Sequence, residues 1–300
     1  MRKIFWWLIL IITIIFAYNY RENIVQLYNQ YFVSIEDKVS KLEKNAYYRD
    51  YNYSYVQNTT SFIPNNKQEL LNIFYTIINS GMTEFTFYCP SSYTNCIQDA
   101  KDLTNNQDSI SNINNFVHPY NSFKNIHALI ESTGKISIKV DKLYTDEMII
   151  ILNYKVEEIL KNNIKTTDTL KEKIKKIHDY IINNTTYDKA RSDNQITEYK
   201  SDNAYGVLIE GFGICGGYTD SMMLFLEQLN VPNFKISTEN HIWNAVYVDS
   251  QWLHLDLTWD DPVTEDNKGV LDDSYFLIND EQLETIEKEE HNYDKKIFKQ

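Results

Sequence analysis

The sequence predicts an α+β chain in which a cysteine-bearing helix packs on an antiparallel sheet carrying a histidine and an aspartate. Three observations predict it. The run Glu210-Gly211-Phe212-Gly213-Ile214-Cys215-Gly216-Gly217-Tyr218 leads straight into a helical stripe of Met222, Leu224, Phe225 and Leu229. Two alternating strand patterns follow, His241 to Val248 and Trp252 to Leu257, with Asp249-Ser250-Gln251 as the turn between them. Upstream lies a small α/β region, itself preceded by an apolar N-terminal run.

The chain starts Met1-Arg2-Lys3 and is then apolar and uncharged from Ile4 to Tyr18. That is short for a full membrane span of about 20 residues. No small-x-small cleavage pattern follows it, and Trp6, Trp7, Tyr18 and Tyr20 fit interfacial anchors. The expectation is an uncleaved transmembrane or signal anchor over residues 1–20, with a cleaved secretory signal as the alternative. Arg2 and Lys3 would keep the start in the cytoplasm and place the rest outside.

Residues 21–61 read as a stalk, helical to about Lys44, ending in a cluster of Tyr47, Tyr48, Tyr51, Tyr53 and Tyr55. The cluster reads as a surface packing onto the domain, with carbohydrate binding as the alternative. Residues 62–165 form the α/β region. Asn66 to Asn79 is helical by its stripe of Leu70, Leu71, Phe74, Ile77 and Ile78, and Glu84 to Tyr88 and Ile136 to Val140 alternate like strands. Asp146 to Asn162 follows the capping residue Thr145 and is helical. A boundary falls near Asn163 to Asp168, before the helix of Leu170, Ile174, Ile177 and Ile181, and residues 166–300 make the last domain.

Cysteine usage agrees with an oxidising compartment. Cys89 and Cys96 flank a turn-rich loop that a disulfide would close, which leaves Cys215 as the free thiol. Their spacing, with no further ligand cluster, argues against zinc. Thr264 and Lys268 break the calcium-loop pattern around Asp266-Asn267-Lys268-Gly269, so that stretch reads as a solvated acidic loop. No phosphate loop and no basic patch is present, and no cofactor or metal is expected. A net charge of -13 argues against nucleic acid and against adhesion to anionic lipid. With 43% hydrophobic residues, and only 8 Gly and 5 Pro, the chain is neither disordered nor fibrous.

Cys215, His241 and Asp256 are the candidate catalytic residues. A thiol, an imidazole and a carboxylate in this order are a nucleophile, its base and the base's orienter. A helix N-terminus favours the thiolate, because its unpaired N–H groups present positive potential. The Cys215 N–H can then serve as an oxyanion donor. The glycines at 211, 213, 216 and 217 allow tight approach and positive φ, and leave room for a substrate chain. A two-residue loop at Ser250-Gln251 would set Asp256 opposite Ala245, four residues from His241, or roughly 13 Å along an ideal strand. A bulge, a bend or a histidine lying before the ladder must close that gap.

Residues 168–280, with Ala204-Tyr205-Gly206-Val207-Leu208, Gly213-Ile214-Cys215-Gly216-Gly217-Tyr218, His241-Ile242-Trp243-Asn244 and Leu255-Asp256-Leu257-Thr258-Trp259-Asp260-Asp261-Pro262, resemble the transglutaminase-like domain of the papain-like cysteine superfamily. The lead-in Ile177-His178-Asp179-Tyr180-Ile181 and Thr186-Tyr187-Asp188 is similar to that family too. The resemblance implies a papain-like catalytic core with Cys215 as nucleophile, His241 as general base and acid, and Asp256 as orienter. It implies Tyr187 or Tyr205 as candidate side-chain donors to the oxyanion. It also implies thiolate attack on a protein or peptide amide to give a thioester, resolved by an amine in cross-linking or by water in hydrolysis. An idle binding module is the remaining alternative within the family.

Overall fold

The structure, a computed structural model, describes residues 2–21, 23–24, 38–193, 195–196, 198–262, 271–286 and 289–298. Arg2–Asn19 is a single α-helix, α1. Every described side chain from Trp6 to Tyr18 is exposed. At 1.5 Å per residue this helix is about 27 Å long, short of a hydrocarbon core of about 30 Å. Among the described residues, no helix is long and apolar enough to cross a membrane. The spanning anchor expected for residues 1–20 therefore lacks support. The stalk helix expected to reach Lys44 falls mainly outside the described residues, and Ser40 to Lys44 is not helical. The acidic loop at residues 266–269 also lies outside them.

The expected elements of the upstream region form where their local signals place them. Lys67–Asn79 forms α2, capped by the Asn66 side chain, which accepts from the Glu69 N–H. Its Leu70, Phe74, Ile77 and Ile78 are buried. Glu84–Tyr88 is β1, Phe123–Ile130 is β2 and Lys135–Lys142 is β3. They form an antiparallel sheet in the order β1-β3-β2. Phe85 pairs with Ile138 and Phe87 with Ile136, so one face of the sheet is apolar and buried. Two short helices join this layer, α3 at Cys96–Asn105 and α4 at Gln107–Asn114. Neither helix, nor β2, was expected. Asp146–Asn163 forms α5, capped by Thr145. A disulfide joins Cys89 to Cys96, with Cα atoms 5.6 Å apart, and closes the loop between them. In the tyrosine cluster, Tyr53 is buried in the core and Tyr47 meets Tyr120 edge-on at 4.8 Å.

The C-terminal part begins with α6, Leu170–Asn183, started by a full capping box between Thr169 and Glu172. Thr186–Tyr187 (β4) pairs in parallel with Phe212–Gly213 (β5), and Lys189–Ser192 (α7) lies between them. Cys215–Gln228 is α8. Asn233–Ser237 (β6), Ile242–Val248 (β7), Gln251–Leu255 (β8) and Phe276–Ile278 (β9) make an antiparallel sheet in sequence order. Asp280–Ile286 (α9) and Lys295–Phe298 (α10) follow.

Two apolar cores hold these layers together. One gathers Phe74, Phe87 and Phe116 with Phe234 and Trp243. The other gathers Leu152, Ile177, Tyr218, Phe225 and Leu255. Each draws side chains from both sides of the expected boundary near residue 165. Burial of a large apolar side chain is worth ~1.5–3 kcal/mol, so the halves stabilise one another. A buried polar link crosses the same divide. Lys235 Nζ donates to Asp220 Oδ1 at 2.9 Å and to Ser122 Oγ at 3.0 Å, while the Tyr144 hydroxyl donates to Asp220 Oδ2 at 2.7 Å.

Candidate active site

Cys215 is the first residue of α8, and Ile214 before it has extended backbone, with φ -117 and ψ 177. The segment is fixed from behind. The Ile214 N–H donates to Ser201 O at 2.9 Å, and the β4–β5 ladder pins Gly211 and Gly213 to Thr186 and Asp188. The Asp188 carboxylate in turn accepts from the Ser201 hydroxyl and, at 3.1 Å, from the Arg191 N–H. Gly211 has φ 77, a left-handed conformation that suits glycine. A Cβ at Gly217 would lie 2.4 Å from Ser201 O. The expectation of room for a substrate is thus corrected at Gly217. At Gly217 that space is filled by the chain's own backbone, so the glycine serves close packing.

The amides of Cys215 and Gly216 have no protein acceptor among the described residues, as the first turn of a helix requires. Unpaired N–H groups at a helix start present positive potential, which favours a thiolate there. The thiol itself is partly exposed.

His241 and Asp256 reach one another by a shift in register. The turn is Asp249-Ser250, with φ 52 and 64, a type I′ geometry built from two non-glycine residues. Val248 faces Gln251 and Asn244 faces Leu255, so the pairing differs by two residues from the expected one. His241 stands just before β7 and Asp256 just after β8, at the same end of the hairpin. His241 Nε2 lies 2.5 Å from Asp256 Oδ2. The expected gap is closed by this register together with the histidine's place before the ladder.

Asp256 is 1% exposed, yet every side of its carboxylate is engaged. Oδ1 accepts from the Thr258 N–H at 2.9 Å and the Trp259 N–H at 3.3 Å. Oδ2 holds His241 and also His291 Nε2, at 2.9 Å. Burial opposes its charge, but the attraction and hydrogen bond of His241, with that of His291, hold its pKa well below the usual carboxylate range. Burial also opposes a charge on His241. The Asp256 carboxylate and then the Cys215 sulfur outweigh it and push the imidazole up to about 10. His241 is therefore charged at neutral pH and faces both the carboxylate and the thiol. Trp243 stacks on its ring at 5.6 Å, and Trp259 stands edge-on at 6.4 Å.

Cys215 and His241 share a cleft of about 720 Å³ with Tyr187, Arg191, Trp259, Asp261 and Glu290. Of the two tyrosines considered as oxyanion donors, Tyr187 lines this cleft, and its hydroxyl lies 3.1 Å from Ser192 Oγ. Tyr205 does not line it; its ring lies under Lys200 Nζ at 5.1 Å. His291 is the one site residue that motif reading missed, since it stands alone in a charged C-terminal stretch with no periodic signal. The ligand atoms of His241, Asp256 and His291 lie within 4.8 Å of one another, close enough to hold a cation. The hydrogen bonds among them already satisfy the carboxylate without one.

The family model of the transglutaminase-like superfamily matches residues 158–257, which carry the thiol, the imidazole and the carboxylate. No curated protein matches the chain. Among solved structures, a transglutaminase is similar over 46% of this chain and 44% of its own, at 16% identity and a TM-score of 0.35. A Cytophaga hutchinsonii protein provisionally described as a cysteine protease is similar over 50% of this chain and 65% of its own, at 15% identity and a TM-score of 0.28. The chain spans less than two thirds of either of these structures.

Proposed function

We propose that this transglutaminase-like protein is a thiol-dependent acyltransferase acting on protein or peptide amides. The observation that carries the reading is the placement of Cys215 at a helix start, in one cleft with a charged His241 that Asp256 orients. The Cys215 thiolate attacks the amide carbonyl. Negative charge forms on the carbonyl oxygen beside the Cys215 N–H, a preorganised donor. His241 gives its proton to the leaving amine, the C–N bond breaks, and a thioester remains on Cys215. His241, now neutral, takes a proton from the incoming nucleophile, which displaces the sulfur. An amine yields a new amide, and water yields a carboxylic acid. Asp261 and Glu290 put carboxylates on the cleft wall, which favours a cationic acceptor such as a lysine amine.

The test is incorporation of a labelled primary amine into an amide-bearing protein. Cys215→Ala should abolish it while leaving the thermal transition in place. Undiminished turnover in that variant would rule out the thioester route. Release of acid with no amine incorporation would move the protein to the hydrolases.

We further propose that the protein is exported. The Cys89–Cys96 disulfide supports this, because such bonds persist in oxidising compartments. Protein trapped from cells by alkylation without reductant should carry that bond. Free thiols at both positions would refute export.

A further inference from the structure

His291 lies beyond the matched residues 158–257, between α9 and α10. It is nonetheless 5% exposed and packed on several sides. Tyr275 stacks on its ring at 5.4 Å, and Trp243, His241 and Trp259 meet it at 4.7, 5.2 and 5.5 Å. Its Nε2 reaches the same Asp256 oxygen that His241 holds. An ionised carboxylate only accepts, so both Nε2 atoms carry protons. Two donors then share the charge of one oxygen. Each bond is weaker than it would be alone, because hydrogen bonding disperses the carboxylate's charge.

We propose that His291 is a positioning residue. By donating to Asp256 Oδ2 it fixes that oxygen and takes up part of its charge, so that Asp256 orients His241 without trapping the proton that His241 must return to the leaving amine. The proposal rests on the thiol chemistry proposed above. Its direction is specific. With His291 replaced by Phe, the ring packing is kept and Oδ2 serves His241 alone. The imidazolium is then held more tightly. The other titratable groups around the three residues are Cys215, Tyr187, Arg191, Asp261 and Glu290 on the cleft side, Asp260 and Tyr275 behind, and Asp280, Glu284, Tyr293 and Lys295 in a second pocket that His291 lines. The substitution leaves all of them in place.

The experiment is the rate of Cys215 alkylation by iodoacetamide against pH in the full chain. For His291→Phe the alkaline limb, where the imidazolium loses its proton, should move up by about half a pH unit or more, a differential interaction of roughly 0.7 kcal/mol. Amine incorporation should fall at the same time. His291→Gln carries an amide N–H near the position of Nε2 and should restore the wild-type profile. A residue that only fills space would lower the melting temperature and leave the profile alone. An unmoved alkaline limb, or one moved downward, would overturn the proposal. If His291→Phe does not fold, imidazole 15N spectra of the unaltered protein decide. A slowly exchanging Nε2–H on His291 is expected, and an Nδ1–H tautomer would overturn the proposal. A wild-type thiol that reacts only near pH ~8.5 would remove the acyltransferase reading itself, and the role of His291 with it.

Discussion

Two buried histidine–aspartate pairs sit in the same half of this molecule and do different work. His241–Asp256 opens onto a cleft and faces a thiol. His178–Asp260 joins α6 to the loop after β8, at 3.0 Å, with both side chains fully buried. Each aspartate also accepts from backbone: Asp256 takes the Thr258 and Trp259 amides, and Asp260 takes the Tyr275 amide. In composition the pairs are twins. They differ in what stands on the far side of the imidazole. Beyond His241 is Cys215, and beyond His178, at 2.8 Å, is Asp179. A His–Asp pair is therefore no signature of catalysis. A nucleophile on the third side and access to solvent make it one.

The comparison breaks if parallel substitutions give parallel results. Asp256→Asn should reduce amine incorporation by about 10⁴-fold, because the amide favours the wrong imidazole tautomer. Its Cys215 should remain open to alkylation, shifted toward higher pH. His178→Ala should instead cost ~3–5 kcal/mol of stability, since it leaves a buried carboxylate without its partner. The pH profile of its thiol should stay that of the wild type. Denaturant titration and alkylation kinetics on the two variants read both quantities. Loss of thiol activation in His178→Ala, with the fold intact, would erase the distinction.

The same contrast shows which parts of the molecule can be read from sequence. Local rules succeeded. The stripes of Leu70, Phe74 and Ile77 and of Ile174, Ile177 and Ile181, and the capping Thr145, each announce a helix that the structure contains, and the alternation of Phe85 and Phe87 announces β1. The order of Cys215, His241 and Asp256 was legible because each stands at the end of an element with a clear pattern. The register between β7 and β8 was not. It turns on left-handed backbone at Asp249 and Ser250, which no glycine marks, so the loop reads one residue late. His291 was illegible for a deeper reason. It reaches Asp256 across 35 positions of sequence, with tertiary packing alone to place it. Likewise, no local pattern tells which of the two buried carboxylates, Asp260 and Asp261, meets His178 and which lines the cleft.

That last ambiguity can be sharpened with the smallest of the expected effects. Asp261 is adjacent to Asp260 but lines the cleft, and its Oδ2 accepts from the Tyr218 hydroxyl at 2.5 Å. Burial pushes its carboxyl up to about 6, against the opposing effect of that hydrogen bond. A folded-state pKa above the unfolded value means that folding favours the protonated form. The stabilising contribution is full below the ordinary value of 3.8 and is lost as pH rises through about 6. Asp261→Asn keeps an acceptor for Tyr218 and removes the ionisation. The variant should lose this component of the fall in melting temperature between pH ~4 and ~6, and gain roughly 1 kcal/mol, or about 2–4 °C, at neutral pH. If its thermal profile keeps the wild-type slope, Asp261 is not the titrating group. Its charge then faces the cleft across the whole range, and the preference for a cationic acceptor should show no pH dependence of its own. A flattened slope would mean instead that the cleft wall gains negative charge only above pH ~6, where an amine acceptor would meet a site already prepared for it.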